Sequence, residues 1–263
     1  MSMSDYLPPV VFAAALWWLT TGLLLYLDRL PRRTFPISLI AASVVLFFAL
    51  YGVRTTSADT SVAGAYFAFV CSVLVWGWLE MTFLMGFITG PRRHASTARS
   101  AGWRRFSHAV QAILYHELAI IVAAVVLFAL TLTQPNQLAF WTFAGLWLMR
   151  LSAKLNLFLG VPNLGEQFLP EHLRYLGTYF RRRAMNPLFP LSVSAGTVTT
   201  VYVAQLAFGG AGEFEVAAFS LLAALLALGV LEHWFLVVPL PTETLWKWTL
   251  HASPSPHAES RHD

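Results

Sequence analysis

The stretch Phe214-Glu-Val-Ala-Ala-Phe-Ser-Leu-Leu-Ala-Ala-Leu-Leu-Ala-Leu-Gly-Val-Leu-Glu-His-Trp-Phe-Leu-Val237 decides how this chain is read. Between Glu215 and Glu232 it runs sixteen residues without a charge. A helix rises about 1.5 Å per residue, so about 20 mostly apolar residues cross the hydrocarbon of a bilayer. Six further segments have the same character: Tyr6–Leu27, Pro36–Val53, Ser61–Ile88, His108–Thr133, Leu138–Leu159 and Leu188–Phe208. Turn chemistry separates them, at Leu30-Pro31, Gly90-Pro91, Gln134-Pro135-Asn136, Val161-Pro162-Asn163 and Gly209-Gly210. The pattern predicts an all-α polytopic membrane bundle of about seven transmembrane helices, with residues 1–248 forming one membrane domain.

Composition agrees. The chain is 57% hydrophobic and 11% charged, where a soluble domain carries about 25% charged residues. One cysteine, Cys71, excludes an intrachain disulfide, and its apolar setting reads as packing. The first apolar run follows no basic segment and precedes no small-residue cleavage site, so it is expected to be a retained helix.

The formal net charge of +4 does not point to nucleic acid. Arg29, Arg32 and Arg33 follow span one; Arg92, Arg93, Arg99, Arg104 and Arg105 follow span three. Arg174, Arg181, Arg182 and Arg183 follow span five, and Lys247 and Arg261 lie in the tail. These fourteen share one side; only Arg54 lies on the other. That asymmetry is the positive-inside bias. It predicts a periplasmic N-terminus, a cytoplasmic C-terminus and an anionic inner leaflet beside the arginines. Glu166–Arg183, with Leu169, Leu173, Leu176 and Phe180 at helical spacing and Pro170 in the first turn, predicts an amphipathic helix on the cytoplasmic face. Trp246 and Trp248 read as interface anchors, and residues 249–263 as a disordered cytoplasmic tail.

Ionisable groups inside a bilayer are costly, so they face a bundle interior and pair. Glu80 lies in span three, His116 and Glu117 in span four, Arg150 and Lys154 in span five, Glu232 and His233 in span seven. All fall roughly 6–14 Å inside the cytoplasmic edge at 1.5 Å per residue, which predicts one interior polar cluster. His108, Gln111 and Asn156 are peripheral to it.

Four uses of such a layer are compatible with these residues. The charges can neutralise one another and fix which helices are neighbours. A divalent metal could take Glu80, His116, Glu117, Glu232 and His233. Against this, His116-Glu117 and Glu232-His233 are adjacent pairs pointing about 100° apart, unlike the Glu-x-x-His spacing of di-iron bundles. Arg150 and Lys154 would also repel a cation. His116 or His233 could ligate a tetrapyrrole axially. A proton or ion path is the fourth use. No nucleophile elbow or phosphate-binding glycine loop is present, no catalytic set can be picked out, and no internal repeat supports a transporter.

Several segments together resemble one family. They are Leu16-Trp17-Trp18 with Thr21-Gly22, Leu30-Pro31-Arg32-Arg33-Thr34, Ser57-Ala58-Asp59-Thr60, Trp76-Gly77-Trp78-Leu79-Glu80 and Gly90-Pro91-Arg92-Arg93. Further on come Tyr115-His116-Glu117-Leu118, Arg150-Leu151-Ser152-Ala153-Lys154-Leu155-Asn156, Phe168-Leu169-Pro170-Glu171-His172-Leu173 and Leu231-Glu232-His233-Trp234-Phe235. The set is similar to the PuhE family of photosynthetic complex assembly proteins of anoxygenic phototrophic bacteria, from about Tyr6 to Trp248. The resemblance implies a multi-pass protein of the bacterial inner membrane that supports assembly of reaction-centre and light-harvesting complexes, or influences bacteriochlorophyll supply. Its implied partners are the lipid bilayer and those subunits, with bacteriochlorophyll or a precursor as a candidate cofactor. It carries over no catalytic residue. The competing readings are a membrane-embedded metal-dependent enzyme acting on a tetrapyrrole or lipid, and a transporter.

Overall fold

In the computed structural model, which describes residues 3–96 and 102–239, the chain is an all-α polytopic bundle. The helices are α1 (Met3–Asp28), α2 (Phe35–Thr56), α3 (Val62–Leu84), α4 (Gly102–Thr131), α5 (Leu138–Leu159), α6 (Leu188–Phe208) and α7 (Glu213–Phe235). Six are long and apolar enough to cross a membrane. The remaining one, α5, is 22 residues long, but Arg150, Ser152, Lys154 and Asn156 reduce its apolarity. Trp246, Trp248 and the tail 249–263 lie outside the described residues.

More than half of the apolar window of α3 and of α7 is buried, against 11–17% in α1, α2, α4 and α6. The bundle is therefore built around α3 and α7. Helix α3 packs on α1, α2, α4, α5 and α7, while α7 also packs on α1, α5 and α6. Within a membrane, helices associate through close packing and interhelical hydrogen bonds, not through apolar burial alone. Gly229 shows the first: a Cβ there would meet Met149 Cγ at 2.8 Å, so only glycine lets α5 and α7 approach this closely. Ser72 shows the second, its hydroxyl donating to Ala139 O at 2.7 Å between α3 and the start of α5. Large apolar side chains left open on the flanks, such as Phe47 and Phe48 on α2, Val122 and Val125 on α4 and Val198 on α6, suit contact with a bilayer.

Two element ends differ from expectation. Helix α3 stops at Leu84, not Ile88. Gly86 takes φ +80°, and Phe87 and Ile88 N–H fold back onto Thr82 O at 2.9 and 3.1 Å, a glycine cap that ends the helix. Helix α4 begins at Gly102, six residues before the expected His108.

The amphipathic segment is helical, but as two short 3-10 stretches, Glu166–Phe168 and Glu171–Tyr179, separated at Pro170. Leu173, Leu176 and Tyr179 repeat every three residues, the 3-10 period, and all are buried against Phe83 of α3 and Ala112 of α4. Its apolar face thus covers protein. Arg105 secures the segment: its guanidinium donates to Phe158 O at 3.4 Å and to Tyr179 O, and it stacks 4.3 Å from the Phe158 ring.

Candidate functional site: a charged layer lining a central cavity

Arg150 and Lys154 are one helical turn apart and share a face of α5. Arg150 reaches Glu80 on α3 at 3.3 Å, and Lys154 reaches Glu117 on α4 at 2.6 Å. One helix thus latches two others. On α7, Glu232 Oε1 accepts the indole N–H of Trp17 on α1 at 2.8 Å.

These five ionisable residues line one cavity of about 900 Å³, walled by α1, α3, α4, α5 and α7 and by the chain after α5. Trp17, Trp76, Phe83, Ile113 and Leu225 contribute apolar wall. Glu80 is 7% exposed, whereas the Arg150 side chain keeps 43% of its surface open where it lines the cavity. The volume falls in the range of about 300–1,000 Å³ typical of small-molecule sites. The arrangement offers a partly open, mostly apolar recess that also presents carboxylates and cations.

The two histidines stand apart from that lumen. His116 is fully buried, its ring 4.4 Å from that of Phe83. Neither ring nitrogen has a hydrogen-bond partner within the protein, and neither does Glu80 Oε1, which lies 3.9 Å from Nε2. His233 is committed at both nitrogens, Nδ1 to Gly229 O at 2.7 Å and Nε2 to Ser152 Oγ at 2.9 Å. A carbonyl only accepts, so Nδ1 carries the proton, and in the neutral ring Nε2 accepts from the serine hydroxyl.

This geometry bears on the ligand readings. Axial ligation needs a free imidazole lone pair facing a space large enough for a macrocycle. His233 has spent its lone pair on Ser152, and His116 is fully buried and does not line the central cavity, so neither fits axial ligation of a tetrapyrrole held there. The metal set is also dispersed: Glu117 is held by Lys154, Glu232 by Trp17 and His233 by Ser152. Among the described residues no three His, Cys, Asp or Glu side chains are placed to share a metal ion. His108 and Gln111 do not line the cavity, and Gln111 donates to Ser107 Oγ at 3.3 Å. Asn156 is buried and structural, bonded to Ser192 Oγ at 3.0 Å and to Asn186 at 3.1 Å.

Trp17, Ser152 and Phe83 were not singled out as site residues from the sequence, although Trp17 and Ser152 fall inside quoted motifs. Tryptophan and serine are ordinary in apolar helices, so only the third dimension shows what they hold.

A family described as protein of unknown function (DUF3623) matches residues 3–257, and the chain belongs to it. A relative from Rhodobacter capsulatus is 39% identical over 244 residues, covering 91% of this chain and 89% of its own length. It is described as an uncharacterized 30.4 kDa protein in the puhA 5′ region. No solved structure matches.

Proposed function

We propose that this protein is a membrane-embedded assembly factor for photosynthetic reaction-centre or light-harvesting complexes, and that its central cavity shelters an amphipathic guest during that work. The observation that carries the cavity role is the 900 Å³ recess, apolar in most of its wall and lined by two ion pairs. A water-soluble substrate would find few polar partners there. A membrane-dissolved molecule with an apolar body and one polar end matches both parts, and a pigment precursor or a lipid has that form. Support for the photosynthetic setting comes from the resemblance to the PuhE family, together with the relative described as lying in the puhA 5′ region. The bundle is read as sitting in the bacterial inner membrane with its arginine-rich end toward the cytoplasm.

The test is gentle purification from the native membrane, with protein partners identified and small molecules extracted from the same sample. Reaction-centre or antenna subunits together with a stoichiometric amphipathic molecule are the expected result. An eluate with neither would overturn the proposal.

A further inference from the structure

A second, smaller cavity lies at the arginine-rich end of the bundle, apart from the central one. It has a volume of about 270 Å³ and is lined by Arg32 from the α1–α2 connection, by Gly86, Thr89 and Arg93 from the chain after α3, and by His172 and Tyr175 from the 3-10 segment. No acidic side chain lines it. Among the described residues neither Arg32 nor Arg93 forms a salt bridge. Two cationic forks therefore meet over one concavity with no carboxylate between them.

Phe35, Met85 and Leu173 supply its apolar wall, and two hydroxyls lie at its base. Thr89 is 1% exposed, yet its hydroxyl makes no hydrogen bond of good geometry within the protein. The buried hydroxyl of Tyr175 lies beside it, and if one of the two donates to the other, one O–H is still left without an acceptor in the protein. A buried O–H without an acceptor is unfavourable, so one at the base of a cationic pocket marks a place where an outside acceptor is expected. The walls are held in position. Thr89 O accepts the backbone N–H of His116 at 2.9 Å, tying this loop to α4. His172 Nε2 donates to Leu84 O at 2.8 Å. Gly86, at φ +80°, leaves room for that ring, because a Cβ would stand 2.9 Å from His172 Cδ2.

We infer that this pocket binds a phosphate group, held by the guanidinium forks of Arg32 and Arg93 above and by the hydroxyls of Thr89 and Tyr175 below. Two planar forks and two hydroxyls present donors from several directions, which suits a tetrahedral oxyanion better than a flat carboxylate. The pocket has room for a phosphate and a small substituent but not for acyl chains. The group therefore enters either as the headgroup of an anionic lipid whose tails remain outside, or as free phosphate.

The experiment uses the purified full chain in detergent, with two probes. Inorganic phosphate is titrated calorimetrically, and retention of phosphatidylglycerol is compared with that of a phosphate-free diacylglycerol by native mass spectrometry. Wild type is expected to bind at least one phosphate-bearing probe. The double variant Arg32→Gln/Arg93→Gln is expected to weaken it at least tenfold, and Thr89→Val several-fold. Arg93→Lys keeps the charge but loses the fork, and most of the affinity should go with it. Binding of phosphate alone identifies the free anion as the source; retention of phosphatidylglycerol alone identifies the lipid. Helical circular dichroism and a single size-exclusion peak establish that each variant is folded. Undiminished binding by the folded double variant, by Thr89→Val or by Arg93→Lys would overturn the site, as would a wild type that takes neither probe.

Discussion

Lys154 Nζ lies 2.6 Å from Glu117 Oε1, linking α5 to α4, with both side chains less than one-fifth exposed. Breaking a buried pair leaves an uncompensated charge, which costs more than the intact pair contributes. Lys154→Met and Glu117→Gln should each lower the thermal midpoint in detergent. The double variant should be less damaged than the two losses added, with a coupling of about 1–3 kcal/mol. Purely additive losses would mean that the pair does not act as a latch.

Trp17 Nε1 donates to Glu232 Oε1 at 2.8 Å, a polar bond between the first and last helices. Trp17→Phe keeps most of the ring and removes only that donor. It should cost about 1–3 kcal/mol, the usual scale for leaving a buried polar group without its partner. A denaturation curve in mild detergent measures it, and an unchanged midpoint would show that Glu232 is satisfied otherwise.

These two contacts show what the sequence could carry. The helices and the turns between them were legible from the apolar runs and their breaks, and helix rise gives Glu80, Glu117, Arg150, Lys154 and Glu232 like positions along their helices. The partners were not. Depth gives no azimuth, so nothing in the chain showed that Lys154 meets Glu117 while Arg150 meets Glu80, or that His116 turns behind Phe83. The 3-10 form of Glu171–Tyr179 was hidden for a related reason. Leu169, Leu173, Leu176 and Phe180 fit an α period, while Leu173, Leu176 and Tyr179 fit a period of three, and packing against α3 and α4 decided between them. The end of α3 at Leu84 depended on Gly86 adopting a positive φ, a choice glycine permits but does not announce.

His172 gives a pH dependence. Burial, with the charge of Arg32 added, holds its ring below the usual histidine range, and the Nε2–H bond to Leu84 O fixes the ring in place. In the unfolded chain the ring takes up a proton near its ordinary value of about 6.5; in the folded chain it resists until a lower pH. Its contribution to stability is therefore complete above that value and is lost as pH falls through the depressed folded value. His172→Gln retains a donor at the Nε2 position without titrating. The difference in thermal midpoint between wild type and variant, in phosphate-free buffer, should be constant above pH 7 and shift against wild type toward pH 5. A difference that stays flat across that range would contradict this.

The most direct measurement concerns the cavity. Gly77 lines it, and a Cβ added there meets nothing within 4 Å. Gly77→Leu should therefore fill the lumen while the better helix propensity of leucine, about 1 kcal/mol over glycine, preserves the fold. Wild type and Gly77→Leu would be purified side by side from the native membrane and their bound small molecules extracted and quantified. The expected result is about one amphipathic molecule per wild-type chain and a loss of at least tenfold in a folded Gly77→Leu protein. Equal occupancy in both, or none in wild type, would contradict a guest-holding cavity.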